Sequence, residues 1–312
     1  MQPDQDEISL ISSLSWYHTI DLGNNVITPG HYDHRPYLHF YGLPEKLSGK
    51  SVIDIGAASG FFSFEFERRG ARVTATDLPK WFDHDFGPNY QPDQTPEAAH
   101  AYLHQPFDVA KRILGSNVVK KYINIYDISP ETVGEFDIAF CGTVLLHLTD
   151  PIKALWNIAS VTKEKAIIAT FITPDYSDLS LATMIGYTRG DSWWIPTRAC
   201  LELMAVCAGF IGIEWVSEFR LDYRDGSPGP YHGVLHAYKT TEGWGPRTVH
   251  RDALIAQQPQ AMKKHRRLMD ELAAREKEIE QLKAVINGYE SGRFIRFMHW
   301  LHKHRRRESA SV

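Results

Sequence analysis

The 312-residue sequence is poor in cysteine and has no long apolar run. Its three cysteines have neither the spacing of a metal site nor that of a redox pair, so we expect buried thiols in a reducing compartment. No apolar stretch approaches the roughly 18–20 residues of a membrane-spanning helix, which argues against an integral membrane protein. The first thirty residues lack the basic and apolar regions of a secretory signal, so we expect a cytoplasmic location.

Neither sign of charge dominates the whole chain, which carries a formal net charge of -4. Acidic residues outnumber basic ones in residues 1–262, whereas basic residues outnumber acidic ones in residues 263–312. The acidic body argues against a broad nucleic-acid surface, because binding to phosphates needs clustered cations. We therefore expect no nucleic-acid partner for the body, and we treat the basic C-terminal part as a separate feature.

Residues 47–239 alternate between apolar segments typical of strands and segments typical of helices. This alternation predicts a parallel sheet that is covered on both faces. The third predicted strand is 121–126, and the last two, 211–219 and 231–239, flank a turn-rich segment typical of an antiparallel hairpin. The prediction is an α/β, Rossmann-like, doubly wound and mostly parallel seven-stranded sheet with an antiparallel last strand.

A helical segment, 262–289, follows a polar stretch, 240–260, that we interpret as a linker. Its apolar side chains recur every three or four positions, a spacing that only Arg275 interrupts, and this predicts a C-terminal coiled coil over 261–290 and a homo-oligomer. The alternative is one amphipathic helix packed on its own body. The stripe consists of Leu268, Leu272, Ile279, Leu282, Ile286 and Tyr289.

The most informative pattern is a buried strand that runs into Gly56, with Gly60 opening a helix. Glycines at such positions let the backbone turn sharply and approach a ligand closely. Asp54 lies at the carboxyl end of this strand, and Asp77 ends the next strand, where a carboxylate can accept both hydrogen bonds of a ribose diol. Together with Asp127 after the third strand, these acids predict a nucleotide-like site at one edge of the sheet.

Two classes of cofactor compete for this site. A nicotinamide cofactor prefers G-x-G-x-x-G, with the N-terminus of a helix facing the pyrophosphate. Here Ala58 occupies the middle glycine position, and Asp54 adds negative charge nearby. Negative charge disfavours a pyrophosphate but suits a cationic amino-acid group. The pattern therefore favours S-adenosylmethionine, which has an ammonium, a sulfonium and no phosphate.

The segment Asp54-Ile-Gly-Ala-Ala-Ser-Gly60 resembles the first motif of the class I S-adenosylmethionine-dependent methyltransferases, and the resemblance spans about residues 47–239. It implies that Asp77 holds the ribose, that Asp127 contacts the adenine amine and that Ile128 lies against the ring. The residues that it assigns to the cofactor are Asp54, Gly56, Ala57, Gly60, Asp77, Leu78, Asp127, Ile128 and Thr143.

A narrower resemblance concerns four segments, namely Trp16-Tyr-His-Thr-Ile-Asp-Leu-Gly23, Thr28-Pro-Gly30, Val144-Leu-Leu-His147 and Trp194-Ile-Pro-Thr197. These segments look like the branch related to the tRNA uridine-5-oxyacetate (carboxymethyl-transferring) enzymes. That branch implies a carboxylated donor, which is recognised by cationic and hydroxyl side chains. No lysine in the segment 30–36 clearly matches, although Arg35 could substitute. A carboxylated donor and a tRNA acceptor therefore stay open.

Methyl transfer is an in-line displacement at an activated sulfonium, so alignment supplies much of the rate. An oxygen acceptor must also lose its proton, and histidine suits that step near neutral pH. His147 follows the fourth strand and is the candidate base, with a pocket-shaping histidine as the alternative.

We predict no metal site, because no cluster has diagnostic spacing. The candidate acceptor-binding residues are Tyr17, His18, Arg189, Trp193 and Trp194, of which the first two belong to a lid or substrate segment, 1–46.

Residues 291–312 mix large apolar residues with cations, and no acid occurs from Arg293 to Arg307. Phe294, Phe297 and Leu301 share one helical face. This composition predicts a helix on an anionic membrane surface. The alternatives are docking to a partner enzyme, contact with RNA, or a tail that is merely solvated. A coiled coil followed by such a helix also resembles the C-terminal extensions of bacterial glycan-assembly enzymes.

The sequence thus predicts an S-adenosylmethionine-dependent methyltransferase that acts on an oxygen atom of a saccharide, glycolipid or other small molecule. We expect it in the cytoplasm, peripheral on the inner membrane surface. One alternative is a tRNA wobble-uridine modifying enzyme. Another is a non-catalytic coiled-coil scaffold with a degenerate cofactor fold.

Overall fold

The computed structural model describes residues 5–88, 90, 95–186 and 190–308, and the chain divides into two units, Met1–Gln258 and Pro259–Val312. The strands are β1 Ser51–Ile55, β2 Arg72–Asp77, β3 Val119–Tyr122, β4 Phe136–Gly142, β5 Thr162–Phe171, β6 Ala182–Met184, β7 Trp194–Pro196, β8 Gly212–Arg220, β9 Tyr231–Tyr238 and β10 Val249–His250. The α-helices are α1 Gln5–Ser13, α2 Phe61–Arg68, α3 Pro96–Leu114, α4 Pro130–Val133, α5 Pro151–Ser160, α6 Arg198–Cys207, α7 Arg251–Ser291 and α8 Arg293–Glu308.

An eight-stranded sheet lies at the centre of the first unit, in the order β10-β8-β9-β5-β4-β1-β2-β3. The pairs β1–β2, β1–β4, β2–β3 and β4–β5 are parallel. Strand β9 is antiparallel to both β5 and β8, and β10 is antiparallel to β8. The predicted Rossmann-like, mostly parallel sheet is confirmed. The additional strand, Val249–His250, was not predicted, because two residues are too few to carry an alternating pattern.

Strand β1 illustrates why the sheet is covered on both faces. Its neighbours Val52 and Ile53 point to opposite faces, as successive strand residues must, and both are fully buried. Val52 belongs to one hydrophobic cluster and Ile53 to the other. A continuous apolar run is therefore what this central strand requires, and helices supply the cover on each side.

The order of the strands creates a crevice at the carboxyl end of β1. This strand lies between β2 and β4, so the chain leaves β1 towards one side of the sheet and leaves β4 towards the other. Such a topological switch point separates the loops and leaves space between them. The fold thus determines where a ligand can enter before any side chain is considered.

Two predicted boundaries differ from the structure. The segment 240–260 is not a simple linker, because β10 joins the sheet and α7 begins at Arg251, with Leu254 buried in the core. Trp244 lies against Gly212, and Val249 packs against the hydrophobic core. The polar average composition of the segment did not indicate these few apolar contacts. The segment 1–46 contributes core residues, including Trp16 and Ile20, so it packs as part of the first unit.

The helical character predicted for 262–289 is confirmed within α7. The stripe residues from Leu268 to Ile286 are solvent-exposed, with Leu272 at 50% and Leu282 at 56%. Pairing of this stripe into a coiled coil needs a second chain and stays a prediction. None of the helices described combines the length and the apolarity needed to cross a bilayer.

Candidate active site

A cleft with a volume of about 270 Å³ opens at the carboxyl ends of β1, β2 and β4. Loops that follow these strands line it, together with residues after β3 and a part of the N-terminal segment. Open α/β sheets bind ligands at this edge. The predicted site residues that the structure brings together in this cleft are Tyr17, His18, Asp54, Gly56, Ala57, Asp77, Leu78, Thr143 and His147.

The loop after β1 approaches its neighbours closely. Gly56 has φ of +75°, and a Cβ atom there would lie 2.4 Å from Cγ2 of Val144. The main-chain N–H groups of Gly56 and Ala57 donate to the carbonyl oxygen of Thr76, at 2.9 and 3.0 Å. The loop is therefore held against the end of β2 in a conformation that favours glycine.

Gly60 is placed differently from our prediction. It does not belong to the cleft lining, and a Cβ atom there would lie 2.6 Å from the ring of Phe64 and 2.7 Å from that of Phe107. Its missing side chain makes room for the aromatic rings between α2 and α3. The sequence motif did not distinguish a glycine that opens space for a ligand from one that opens space for the core.

We predict that Gly56→Ala lowers the free energy of unfolding more than Gly115→Ala does. Both glycines have positive φ, but nothing lies within 4 Å of a Cβ atom at Gly115. The control variant should lose about 1–2 kcal/mol from backbone strain alone. Gly56→Ala should lose about 1–3 kcal/mol more because of the contact with Val144. Urea unfolding of both variants measures the difference, and equal losses would contradict a close approach at Gly56.

Two buried carboxylates form the acidic part of the cleft. Asp54 is 2% exposed and accepts a hydrogen bond from the hydroxyl of Ser63 at 2.5 Å. Asp77 accepts one bond from the N–H of Ala58 at 2.9 Å and another from that of Leu78 at 2.8 Å. Burial raises the pKa of Asp54 to about 7, and repulsion from Asp77 adds to this shift. Such a pair suits a cationic ligand.

Lys120 on β3 is a neighbour of these acids that sequence reasoning missed. Among the described residues its ammonium has no hydrogen-bond partner, and it lies 4.3 Å from the centre of the Phe107 ring. Burial raises the pKa of Asp77, and the charge of Lys120 opposes that shift. Lys120 comes near the site because β3 pairs with β2, which sets Lys120 opposite Ala75. A sequence signal for this cation would have required the register of the two strands.

The two residues predicted for the adenine lie outside the described cleft lining. Asp127 is exposed and Ile128 is buried in the core, so neither belongs to the cleft lining. The physical reason is that β3 ends at Tyr122, earlier than the predicted end at 126, and the chain then turns into a short 3₁₀ helix. This turn brings another segment, 123–125, to the cleft in their place.

His147 lies in the cleft at the end of a short 3₁₀ helix, Leu145–His147, directly after β4. Its Nδ1 atom is 2.5 Å from the carbonyl oxygen of Asp191. A carbonyl can only accept, so we assign the proton of the neutral ring to Nδ1. The lone pair is then on Nε2, which is the atom that could take a proton from an acceptor.

Tyr17 and His18 line the cleft from the N-terminal segment. The main-chain N–H of Tyr17 donates to Oγ of Ser59 at 3.1 Å, which ties this segment to the loop after β1. His18 is 5% exposed, and burial lowers its pKa to about 3. Its imidazole is therefore neutral near physiological pH and offers a polar but uncharged surface.

The predicted tryptophans lie beside the cleft and are not part of its described lining. Trp193 donates from Nε1 to the carbonyl oxygen of Asp85 at 2.7 Å, and Trp194 donates to that of Thr149 at 3.4 Å. Both indoles thus connect loops around the cleft, since Asp85 belongs to the lining and Thr149 lies outside it. Arg189 lies outside the described residues. Aromatic residues that sequence reasoning missed line the cleft instead, namely Trp81, Phe86, Tyr90 and Tyr102.

The described part of the cleft lining contains no lysine or arginine. Arg35 is the residue that could replace a lysine in recognising a carboxylated donor. It donates two hydrogen bonds to Asp33, of 2.8 and 2.6 Å, and it does not belong to the cleft lining. The glycine cradle, the two buried acids and the uncharged rings fit a cationic, phosphate-free cofactor such as S-adenosylmethionine. They offer no counter-charge for a pyrophosphate.

Comparison with known proteins agrees with this geometry. The tRNA U34 carboxymethyltransferase of Campylobacter concisus is 23% identical over 160 residues, 50% of this chain and 48% of that protein. The ubiquinone biosynthesis O-methyltransferase of Pseudomonas aeruginosa is 32% identical over 111 residues, 35% of this chain and 38% of that protein. The chain thus spans about half the length, or less, of these relatives.

A solved structure shares the fold. The N-terminal domain of EvdMO1, crystallised in the presence of SAH and D-fucose, has a TM-score of 0.52 and 17% identity, covering 75% of this chain and 94% of that one. The family model described as a methyltransferase domain matches residues 31–205, more than half of the chain. The chain therefore belongs to the methyltransferase domain family of S-adenosylmethionine-dependent enzymes.

Proposed function

We propose that the protein transfers a methyl group from S-adenosylmethionine to an oxygen atom of a saccharide, glycolipid or other small-molecule acceptor. The single observation that carries the proposal is the cleft at the carboxyl ends of β1, β2 and β4, with Asp54 and Asp77 buried in it and His147 at its border. When bound there, S-adenosylmethionine supplies an activated methyl group on a positively charged sulfur.

In this proposal the two acids hold different parts of the donor. Asp77, at the end of β2, accepts hydrogen bonds from the ribose hydroxyls, since its position after the second strand is the usual one for that role. Asp54 lies deeper and provides negative charge for the methionine ammonium. Ile123 and Ile125 offer apolar surface for the adenine, and Asn124 lies between them.

We predict that donor affinity rises with pH between about pH 6 and pH 8. The pKa of Asp54 is raised to about 7, so the carboxyl is mostly protonated at the lower pH and mostly ionised at the higher one. A cationic ligand favours the ionised form, and the expected gain in affinity is about tenfold over this range. Calorimetric titration with S-adenosylhomocysteine measures it. Asp54→Asn should give a flat profile, whereas an unchanged rise in that variant would assign the dependence to another group.

His147 is the proposed general base. Its Nε2 accepts the proton of the acceptor hydroxyl while the new oxygen–carbon bond forms and the sulfur–carbon bond breaks, which leaves S-adenosylhomocysteine. The bond from Nδ1 to the carbonyl oxygen of Asp191 fixes the ring and its tautomer. A base that is already oriented needs no rearrangement at the moment of transfer.

The nature of the acceptor is inferred from the uncharged side of the cleft. Trp81, Phe86 and Tyr90 offer aromatic faces, and the neutral His18 offers a polar group, a combination that suits a sugar or another hydroxylated ring. The similarity to the ubiquinone biosynthesis O-methyltransferase supports an oxygen acceptor. The absence of lysine and arginine from the described lining disfavours a phosphate-rich acceptor.

Methyl incorporation from labelled S-adenosylmethionine tests this function. Purified protein is incubated in parallel with a glycan and glycolipid extract and with bulk tRNA. We expect label in the first, and less label with Asp77→Ala at a donor concentration that does not saturate this variant. Label that enters only tRNA would contradict a saccharide acceptor and favour the alternative supported by similarity to the tRNA U34 carboxymethyltransferase.

We also propose that α7 pairs with a second copy of the chain. In a heptad assignment, Ile279 and Ile286 fall at a positions, while Leu268 and Leu282 fall at d positions. β-Branched residues at a with leucine at d favour parallel two-stranded coiled coils. All four side chains are about half exposed in the single chain. An apolar stripe of this length in water supports association with an equivalent stripe.

Ile279→Glu is predicted to convert the dimer into a monomer, because it buries a charge in the centre of the seam. Ala284→Glu adds the same charge on the opposite side of the helix and should leave the dimer intact. Light scattering after size exclusion gives the mass of each. A monomeric wild-type protein, or a dimer that persists in Ile279→Glu, would contradict the seam.

A further inference from the structure

Helix α8 presents apolar side chains to solvent. Phe297 is 54% exposed, Met298 47%, Trp300 56% and Leu301 37%. Four large apolar residues within five positions exceed what a water-facing helix normally carries, since such helices concentrate their apolar residues on a buried stripe. In the single chain, Phe297, Met298 and Leu301 therefore leave a large part of their apolar surface in contact with water.

The same helix is strongly basic. Six lysines and arginines occur between Arg293 and Arg307, and no acid interrupts them. Helix α7, by contrast, spaces its charges with both signs and forms ion pairs such as Arg275–Glu278 and Lys283–Glu280. The run from Arg293 to Arg307 supplies no acid of its own, and such a composition favours an anionic surface as its partner.

We propose that α8 lies in the interface of an anionic phospholipid bilayer. An interfacial helix places its apolar side chains at the boundary between headgroups and acyl chains, and its cations among anionic headgroups. This one partner covers Phe297, Met298 and Leu301 and neutralises the basic residues at the same time. An acidic polymer such as RNA would match only the charge.

Co-sedimentation of the full-length protein with lipid vesicles tests the proposal. We expect binding to vesicles of phosphatidylcholine with phosphatidylglycerol, weak binding to phosphatidylcholine alone, and loss of binding as salt is raised. Replacing Arg305, Arg306 and Arg307 with glutamine should weaken binding about 10²-fold. The double variant Phe297→Ser with Leu301→Ser should weaken it about tenfold or more.

A matched control removes the same number of charges from α7. Glutamine at Lys263, Arg266 and Lys277 should leave vesicle binding nearly unchanged, because these exposed cations belong to the other helix. Equal losses in both triple variants would reduce the effect to net charge and overturn the proposal. So would binding to bulk tRNA without binding to vesicles, or binding to neither. Because the readout is sedimentation, it is independent of methyl transfer.

Discussion

Replacing His147 with alanine should lower turnover by about 10²-fold or more while donor affinity stays nearly unchanged. The imidazole lies at the border of the cleft, and its Nδ1 donates to the carbonyl oxygen of Asp191, so Nε2 is the ring nitrogen that carries the lone pair. Removing it takes away the base but not the donor site. Turnover is measured with labelled donor, and affinity by calorimetry with S-adenosylhomocysteine.

Ser192→Ala is the control for this experiment. The hydroxyl of Ser192 lies 3.4 Å from Nδ1 of His147, so its loss changes the surroundings of the ring without removing the ring. We expect turnover close to that of the wild-type protein. If His147→Ala also kept near-wild-type turnover, the histidine would only shape the pocket, and the acceptor proton would have to leave by another route.

The second large effect concerns the donor. Asp77→Ala should weaken donor binding by about 1–3 kcal/mol, since a buried charged hydrogen-bond acceptor is lost. The two main-chain N–H groups that Asp77 accepts from, those of Ala58 and Leu78, would also lose their partner. The loop after β1 would then be held less firmly. Calorimetric titration of the variant with S-adenosylhomocysteine gives the change directly.

Asp137→Ala is the matched control for Asp77→Ala. Asp137 also accepts hydrogen bonds from a main-chain N–H and a hydroxyl, both of Ser51, but it lies at the beginning of β4, away from the cleft. Its removal should cost stability and leave donor affinity intact. Equal loss of affinity in both variants would point to a general weakening of the fold. Unchanged affinity in Asp77→Ala would remove that residue from the ribose role.

The parts of the site that the sequence predicted depend on local patterns. The apolar run of β1, the positive-φ glycine at position 56 and the acid at the end of β2 are each specified by a few consecutive residues. The structure adds that Asp54 is buried, because it shares the face of Val52 on a central strand that is covered on both faces. Such features can be derived without knowing what packs against them.

The parts that the sequence did not predict depend on distant contacts. The end of β3 is set by its register with β2, where Tyr122 is the partner of Asp77, and this pairing decides that the segment 123–125 rather than Asp127 reaches the cleft. The position of Trp193 is set by its hydrogen bond to the carbonyl oxygen of Asp85, more than a hundred residues away in the chain. No local pattern contains this information.

A crystal structure of the protein with S-adenosylhomocysteine tests the central claim most directly. We predict the ligand in the cleft, with its ribose hydroxyls on the carboxylate of Asp77, its amino group directed towards Asp54 and its adenine against the segment 123–125. A folded protein whose cleft stays empty at saturating ligand, or a ligand bound elsewhere on the chain, would contradict the donor site and with it the proposed methyl transfer.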